Sequence, residues 1–526
     1  MKKIVKDILK LFLFNPQKLF SRQEIEEEIK GIGSRTIIRT LSLLEKEKRI
    51  EKIGQSSSTR YIFCEAYHQD FREKLYIYQN QICIGYLGFD YEQYLFTYDT
   101  KYLIDTTHNA VFAMPIDSQT YTQGRCFVDF EELLPEGVDK KILIEKTGNA
   151  TEFFLLANNN YSSNDLILSL KPLSFKKKIK TESYLLRKEK ILGKNSFPNV
   201  YDLTVKLDET ALFPSEFVSQ EEVEKVRTIS LSGYQHKLQV VINDGSIGMP
   251  KEGEEVEYFI KPYHPQKADS NSAYYFPHIA LNEHLHMTFA KNELGFDVPQ
   301  SGLFKREGDK EYHYIIKYFD RYKGYKFQRK EFASYLGLHS DNKYNTSSEK
   351  LFDMASKVLL REEDRLKMLE YYFYSFVIKH EDMHTKNIST IYDNAKLFLA
   401  PLYDIATTGF YNGIHNYESH LPINGKQTNI RLKDFLVLVK RANVPKKAFL
   451  ERASFILKSY REKMPKYIKR ISKLEESYFY KKERPNAQDR RVKIKEKVLL
   501  QEVMLEAFNE RIETLERNLW FEQVGG

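Results

Sequence analysis

Residues 376–404 read FVIKHEDMHTKNISTIYDNAKLFLAPLYD. An apolar, helix-like run over residues 371–378 stops at His380-Glu381-Asp382, and Asn387 follows Asp382 by five residues. A strand, a turn at Asp393-Asn394 and a second strand come next, ending in Tyr403-Asp404. Phosphoryl transfer needs a carboxylate that orients the nucleophile and accepts its proton. It also needs an Asn and a second Asp to hold metal ions on the nucleotide phosphates. Asp382, Asn387 and Asp404 are those residue types at those separations, so the stretch reads as the catalytic segment of a kinase.

The rest of the chain must then supply a nucleotide side. At 526 residues there is room for several domains. Hydrophobic residues at 42% and charged residues at 29% are ordinary for a globular protein. The net charge of +8 permits an anionic partner without demanding one. Cys64, Cys83 and Cys126 show neither metal-ligand spacing nor a disulfide framework, which suits a reducing compartment. No apolar run reaches membrane-spanning length. The apolar stretch at residues 9–14 is interrupted and lacks a cleavage site. The expected location is cytoplasmic, with no membrane partner.

Residues 1–66 look like a domain of their own. Ile4, Ile8, Leu9, Leu11 and Phe12 give a helical apolar face. Ser21 with Glu24 is a capping-box signature for a second helix, ended by Gly31-Ile32-Gly33. Ser34 then opens a third helix, followed by two short strands. This order resembles a winged helix. Ser34, Arg35, Thr36, Arg39 and Thr40 fall where a recognition helix faces a groove, with Arg60 on the second strand. The stretch holds 14 basic and nine acidic residues, which suits phosphate contacts. Winged helices also serve in dimerisation and protein docking, so those roles remain alternatives to DNA.

From residue 75 the pattern changes to short strands, with a hairpin around Gln79-Asn80-Gln81 and the run RCFVDFEELLPEG at 125–137. The hairpin and the Phe-x-x-Leu-Leu-Pro-x-Gly element resemble the N-terminal subdomain of HipA-family kinases. Those are bacterial serine/threonine protein kinases best known as toxins of toxin–antitoxin pairs. Residues 230–237, SLSGYQHK, resemble the family's Ser-x-x-Gly-x-Gln-x-Lys loop. The resemblance implies that Ser230, Ser232, Gly233, Gln235 and Lys237 lie over the nucleotide phosphates. It also implies that Ser230, or its neighbour Ser232, is an autophosphorylation site. Lys261, in VEYFIKP, matches the nucleotide-binding strand lysine, with Glu283 as its candidate partner. YIIKYFDR at 314–321 resembles the hinge strand, where backbone groups contact the adenine, which places Lys317 and Phe319 beside it. Asp382, His384, Lys386 and Asn387 match Asp-x-His-x-Lys-Asn.

The roles implied are Asp382 orienting the substrate hydroxyl, Asn387 and Asp404 holding magnesium, and Lys386 neutralising charge on the transferred group, with His384 bracing the loop. ATP and Mg2+ are the implied cofactors. The expected architecture is α+β, a two-lobed kinase fold preceded by a winged helix-turn-helix domain and followed by a helical tail. The expected boundaries are 1–66 for the winged helix, 67–215 for the N-terminal subdomain and 216–320 for the nucleotide-binding lobe. An all-helical catalytic lobe is expected over 321–475 and a basic helical tail over 476–526. Within the lobe, separate helices are expected over 446–457 and 460–468. Residues 498–519 read as one amphipathic helix that could pack on the kinase, dimerise or touch DNA.

The leading function is an ATP-dependent serine/threonine protein kinase carrying its own DNA-binding domain. Its expected partners are a protein substrate such as an aminoacyl-tRNA synthetase or other translation factor, operator DNA and an antitoxin, with homodimerisation open. Two alternatives stand beside it. One is a DNA-binding transcriptional regulator with a kinase-fold sensor, and the other is a kinase of small molecules.

Overall fold

Ser21 and Glu24 form the capping box that their spacing predicts: Ser21 N–H donates to the Glu24 carboxylate at 2.7 Å and Glu24 N–H to Ser21 Oγ at 3.2 Å. The computed structural model describes residues 2–64, 71–105, 112–159, 165–175, 179–214, 235–251, 254–272, 275–411, 417–482 and 494–525. These divide into one unit of 1–134 with 143–180 and a second of 135–142 with 181–526.

In the first unit, helices Lys3–Phe14, Arg22–Glu28 and Ser34–Lys46 precede an antiparallel pair, Ile50–Ile53 with Arg60–Phe63. A five-stranded antiparallel sheet follows, in the order Tyr121–Gln123, Tyr94–Tyr98, Ile82–Phe89, Glu73–Gln79, Leu166–Ser169. Residues 1–66 were expected to stand alone, yet Ile8, Phe12, Ile37 and Leu41 share one continuous core with Leu75, Ile77, Phe96 and Phe130. Arg49 joins the two parts. It is fully buried, and its guanidinium donates to the carbonyls of Ser118 and Tyr98 (both 3.0 Å) and to the hydroxyls of Thr100 (3.2 Å) and Thr97 (2.5 Å).

In the second unit, a six-stranded sheet runs Ser301–Phe304, His313–Lys317, Tyr258–Lys261, Leu238–Asn243, Ser246–Gly248, Thr204–Val205. Its pairings are antiparallel except the last. Thr204–Val205 therefore belongs with this six-stranded sheet, not with a 67–215 subdomain. The helix Ile279–Leu294 packs on this sheet and ends at Gly295, whose φ of 72° suits the left-handed cap. Helices Ser348–Val358, Glu362–Val377, Leu432–Arg441 and Lys446–Lys469 build the other half around one apolar core. The last is a single helix rather than two, because Ser459 and Tyr460 at the expected break are buried on its packed face.

Two further expectations fail. Residues 321–475 are not all helical: Arg329–Glu331, Ser389–Asp393 and Lys396–Leu399 form a three-stranded sheet. The tail is not all helix either. Tyr478–Lys482 pairs with Ile494–Leu499 before helices Leu500–Arg517 and Trp520–Gly525. Leu519, with φ 59°, separates those helices. The tail packs on the catalytic half, where Leu500, Met504, Leu515 and Trp520 join the same core as Phe373 and Phe376.

Removing the Arg49 guanidinium would leave two carbonyls and two hydroxyls buried without it. Arg49→Met is therefore expected to lower the opening free energy of helix Ser34–Lys46 by about 3 kcal/mol, read by hydrogen exchange on the full chain. A change below about 1 kcal/mol would show that the guanidinium does not tie the helices to the sheet.

Candidate active site

The site begins with strand pairing. Lys261 lies opposite Tyr314 in the sheet, so its side chain shares a face with Phe259 and Ile316 and turns toward the helix Ile279–Leu294. Its ammonium is only 3% exposed and donates to both oxygens of Glu283, at 2.7 and 2.9 Å. It also pairs with Asp404, whose other oxygen lies 3.8 Å from Lys237 Nζ. Burial pushes the Lys261 ammonium down to about 8, against the pull of Glu283. The neighbouring Asn282 fastens the segment after Asp404, donating to the Thr407 carbonyl (2.8 Å) and accepting from Thr407 N–H (3.3 Å). One helix turn thus holds both the strand lysine and the Asp404 segment. Asp404 adopts φ 57°, a left-handed conformation that Asp tolerates better than most residues.

The catalytic stretch starts where the helix Glu362–Val377 ends. Lys379 turns the chain at φ 55°, and His380 Nδ1 bonds the Ala406 carbonyl at 2.7 Å. Asp382 is 4% exposed and accepts from the Tyr344 hydroxyl at 2.9 Å. Asn387 Nδ2 donates to the Asp382 carbonyl at 3.0 Å, closing the five-residue loop on itself. His384 Nε2 stands 3.7 Å from Asp382, and burial pushes this imidazole down to about 3, so it is neutral and braces rather than charges the loop. Lys386 Nζ is 2.5 Å from Glu136 and 3.5 Å from Glu331, and it donates to Ser340 Oγ at 3.1 Å. Burial works against Glu136 ionising, but Lys386 and Lys343 hold its carboxyl well below the usual range.

Lys261, Lys237, Asp404, Asp382, Asn387, His384 and Lys386 thus fall within two linked clusters. Gln235 lines a small cavity with Glu283, His380 and Asp404, and its buried amide oxygen has no hydrogen-bond partner among the described residues. Ser230, Ser232 and Gly233 lie outside the described residues. The Lys317 side chain points to the face opposite Lys261, 3.6 Å from Glu257, so a hinge contact at this position is one of backbone groups, as expected. Phe319 is buried and stacks on Tyr403, beside Asp404, with centroids 5.5 Å apart. In the other unit, Arg35, Thr36 and Arg39 are exposed on helix Ser34–Lys46, Ser34 Oγ donates to Glu26 and Arg60 is half-buried. Thr40 is a correction: it is 5% exposed and its hydroxyl donates to the Thr36 carbonyl at 2.9 Å, so it faces no groove.

Sequence reasoning missed Tyr344, Asn282, Glu136 and Glu331. Glu136 is the unspecified position of the Leu-Leu-Pro-x-Gly element, and a carboxylate set inside that turn was the available signal.

The donor set also suits a hard cation. Asp404 and Asn387 offer a carboxylate and an amide oxygen, and no cluster of three His, Cys, Asp or Glu side chains forms a cage among the described residues. Magnesium bound through one or two carboxylates plus substrate phosphates needs no such cage.

Comparison with known proteins places this geometry. Residues 75–158 match the HipA N-terminal domain and residues 229–468 match the HipA-like C-terminal domain. The chain belongs to the HipA family. A protein of Haemophilus influenzae named "Putative kinase" is 31% identical over 217 residues, covering 38% of this chain and 59% of that one. "Putative kinase Y4mE" of Sinorhizobium fredii is 27% identical over 193 residues, covering 35% of this chain and 43% of its own. The matched stretches thus span about half of those relatives. Among solved structures, a chain of the Shewanella oneidensis MR-1 toxin–antitoxin complex of HipA, HipB and operator DNA shares the fold. Its TM-score is 0.56 at 16% identity, covering 86% of this chain and 99% of that one.

Glu136→Gln removes one of the two carboxylates that hold Lys386. It is expected to lower the stability of the catalytic half by about 1–2 kcal/mol in urea unfolding followed by Trp520 fluorescence. An unchanged midpoint would show that Glu331 and Ser340 suffice.

Proposed function

We propose that this chain is an ATP-dependent serine/threonine protein kinase of the HipA type. The observation that carries the reading is the joining of Lys261, Glu283 and Asp404 in one buried cluster next to the loop of Asp382 and Asn387. A lysine held by a helix carboxylate is the arrangement that grips the α- and β-phosphates of ATP. Asp382 would orient the acceptor hydroxyl and take its proton. Magnesium held by Asp404 and Asn387 would neutralise charge on the β- and γ-phosphates. Lys386, already paired with Glu136, would sit close enough to the loop to share charge with the transferred phosphoryl group.

The proposal extends to regulation. Ser230 or Ser232, a few residues before Gln235 and Lys237 in the sequence, would be the chain's own first substrate. A phosphate there adds up to about two negative charges and would compete with ATP. The three helices and antiparallel pair of residues 3–63 are read as a winged helix whose Arg35 and Arg39 contact DNA phosphates. Since the solved relative is a complex with an antitoxin and operator DNA, an antitoxin and the promoter of its own operon are the partners proposed here. A translation factor such as an aminoacyl-tRNA synthetase is the proposed protein substrate.

With γ-labelled ATP, the wild type is expected to label itself or a lysate protein, and Asp382→Asn to lower that rate by about 10²–10⁴-fold. Mass spectrometry should find the phosphate on Ser230 or Ser232. A wild type that labels nothing removes the protein-kinase reading. In gel shifts with the operon's promoter, Arg35→Ala with Arg39→Ala is expected to reduce the slope of log affinity against log salt by about 2. An unchanged slope, or binding untouched by deleting residues 1–66, removes the DNA reading.

A further inference from the structure

The last carbonyls of a helix have no partners within the helix, and buried ones must find them elsewhere. The helix Glu362–Val377 delivers its C-terminus to the catalytic loop, so its carbonyls can be accounted for one by one. Tyr374 O accepts from Ile378 N–H at 3.0 Å and Ser375 O from His380 N–H at 2.8 Å. Phe376 O accepts from Lys379 N–H at 3.1 Å and also from Arg511 Nη2 at 2.6 Å. Val377 O accepts from Arg511 Nε at 3.0 Å. The helix end is therefore completed by a side chain from Leu500–Arg517, a helix outside both matched family regions.

Arg511 is suited to this by charge and by shape. It is 5% exposed, and its guanidinium lies 4.6 Å from the centre of the Phe376 ring. A cation at a helix C-terminus complements the macrodipole, and the planar fork fits two adjacent carbonyls. Its third contact is an ion pair with Glu418, whose other oxygen accepts from Ile430 N–H at 2.9 Å. Trp520 fastens the far end of the tail by donating to the Ile430 carbonyl at 3.1 Å, with its ring against Phe373 and Phe376. From the capped end, contacts run without a gap to Asp382. Lys379 turns the chain, and its carbonyl accepts from Thr408 N–H at 3.1 Å and Thr408 Oγ1 at 2.7 Å. Thr408 Oγ1 in turn accepts from Glu381 N–H at 3.3 Å, next to Asp382.

We propose that Arg511 is a positioning residue for the catalytic loop, so that the C-terminal tail is a working part of the catalytic half. The proposal rests on the kinase reading only for its kinetic consequence; the mechanical one stands alone. Arg511 touches no reacting atom. It fixes the point at which the helix hands over to Lys379, and with it the height and direction of Asp382. Without it, two buried carbonyls of the last turn lose their cationic donor, and the turn at Lys379 is free to relax.

The test uses the full chain with Arg511→Met, Arg511→Lys and Val524→Ala, the last at a buried core residue of the helix Trp520–Gly525 whose truncation loosens the tail's packing. ATP turnover is read as ADP release, and hydrogen exchange is read over residues 376–382. Arg511→Met is expected to lower kcat by about 10²-fold while the KM for ATP stays within about twofold, because misplacing a catalytic group costs rate rather than binding. Exchange over 376–382 should quicken in the same variant. Arg511→Lys should recover much of the rate, since an ammonium still donates to the carbonyls. Val524→Ala should lower the melting temperature but keep kcat. A folded Arg511→Met protein with wild-type kcat overturns the proposal, as does a loss of kcat in Val524→Ala equal to that in Arg511→Met. If the wild type releases no ADP, the kinase reading fails. The exchange data then decide alone: faster exchange in Arg511→Met sustains the positioning role, and unchanged exchange overturns it.

Discussion

A lysine ammonium buried between two carboxylates is the constraint on which the catalytic half depends. Lys261 comes from the middle of a sheet, Glu283 from a helix and Asp404 from the segment after the hairpin Ser389–Leu399. Each charge taken from water is expensive alone, and only mutual pairing makes the three tolerable together. Losing Lys261 would leave two carboxylates facing the same space without its cation, so the sheet, the helix and the loop are held to a single relative position. Asn282 adds a neutral tie at the next residue by holding Thr407. Burial also pushes the Lys261 ammonium down to about 8, against the pull of Glu283.

Around this cluster the catalytic loop is held by residues that come from far along the chain. Tyr344 reaches the Asp382 carboxylate, Glu136 and Glu331 hold Lys386, and Arg511 completes the helix that leads in. The general-base role proposed for Asp382 would be served by a direction fixed before the substrate arrives. Here the fixing groups act on three parts of the loop: its entrance, its carboxylate and its lysine. The neutral His384 fills the space between them.

The residues legible in the sequence were those whose partners sit close by or whose local pattern is self-sufficient. Asp382 and Asn387 are five apart and bond each other, and the Ser21 capping box spans three residues. Glu136, Tyr344 and Arg511 were not legible because their partners lie 38 to 250 residues away and no periodicity encodes such a meeting. Other misses have local causes. Thr40 reads as a polar contact residue, but helical phase places it on the stripe with Ile37, Leu41 and Leu44. The tail hairpin was hidden because Lys481, Lys482, Lys495 and Lys497 dilute the alternation that marks a strand, although Phe479 is buried. The separateness of residues 1–66 was overstated because a buried arginine, one of the 14 basic residues counted there, is the link to the sheet.

The central claim is that the Lys261 cluster is a nucleotide phosphate site. Calorimetric titration of the full chain with a non-hydrolysable ATP analogue, with and without magnesium, tests it most directly. The account predicts magnesium-dependent binding by the wild type that weakens about tenfold or more in Lys261→Met, a loss of at least about 1.4 kcal/mol. A wild type that does not bind the analogue, or a Lys261→Met chain that binds it equally well, would contradict it.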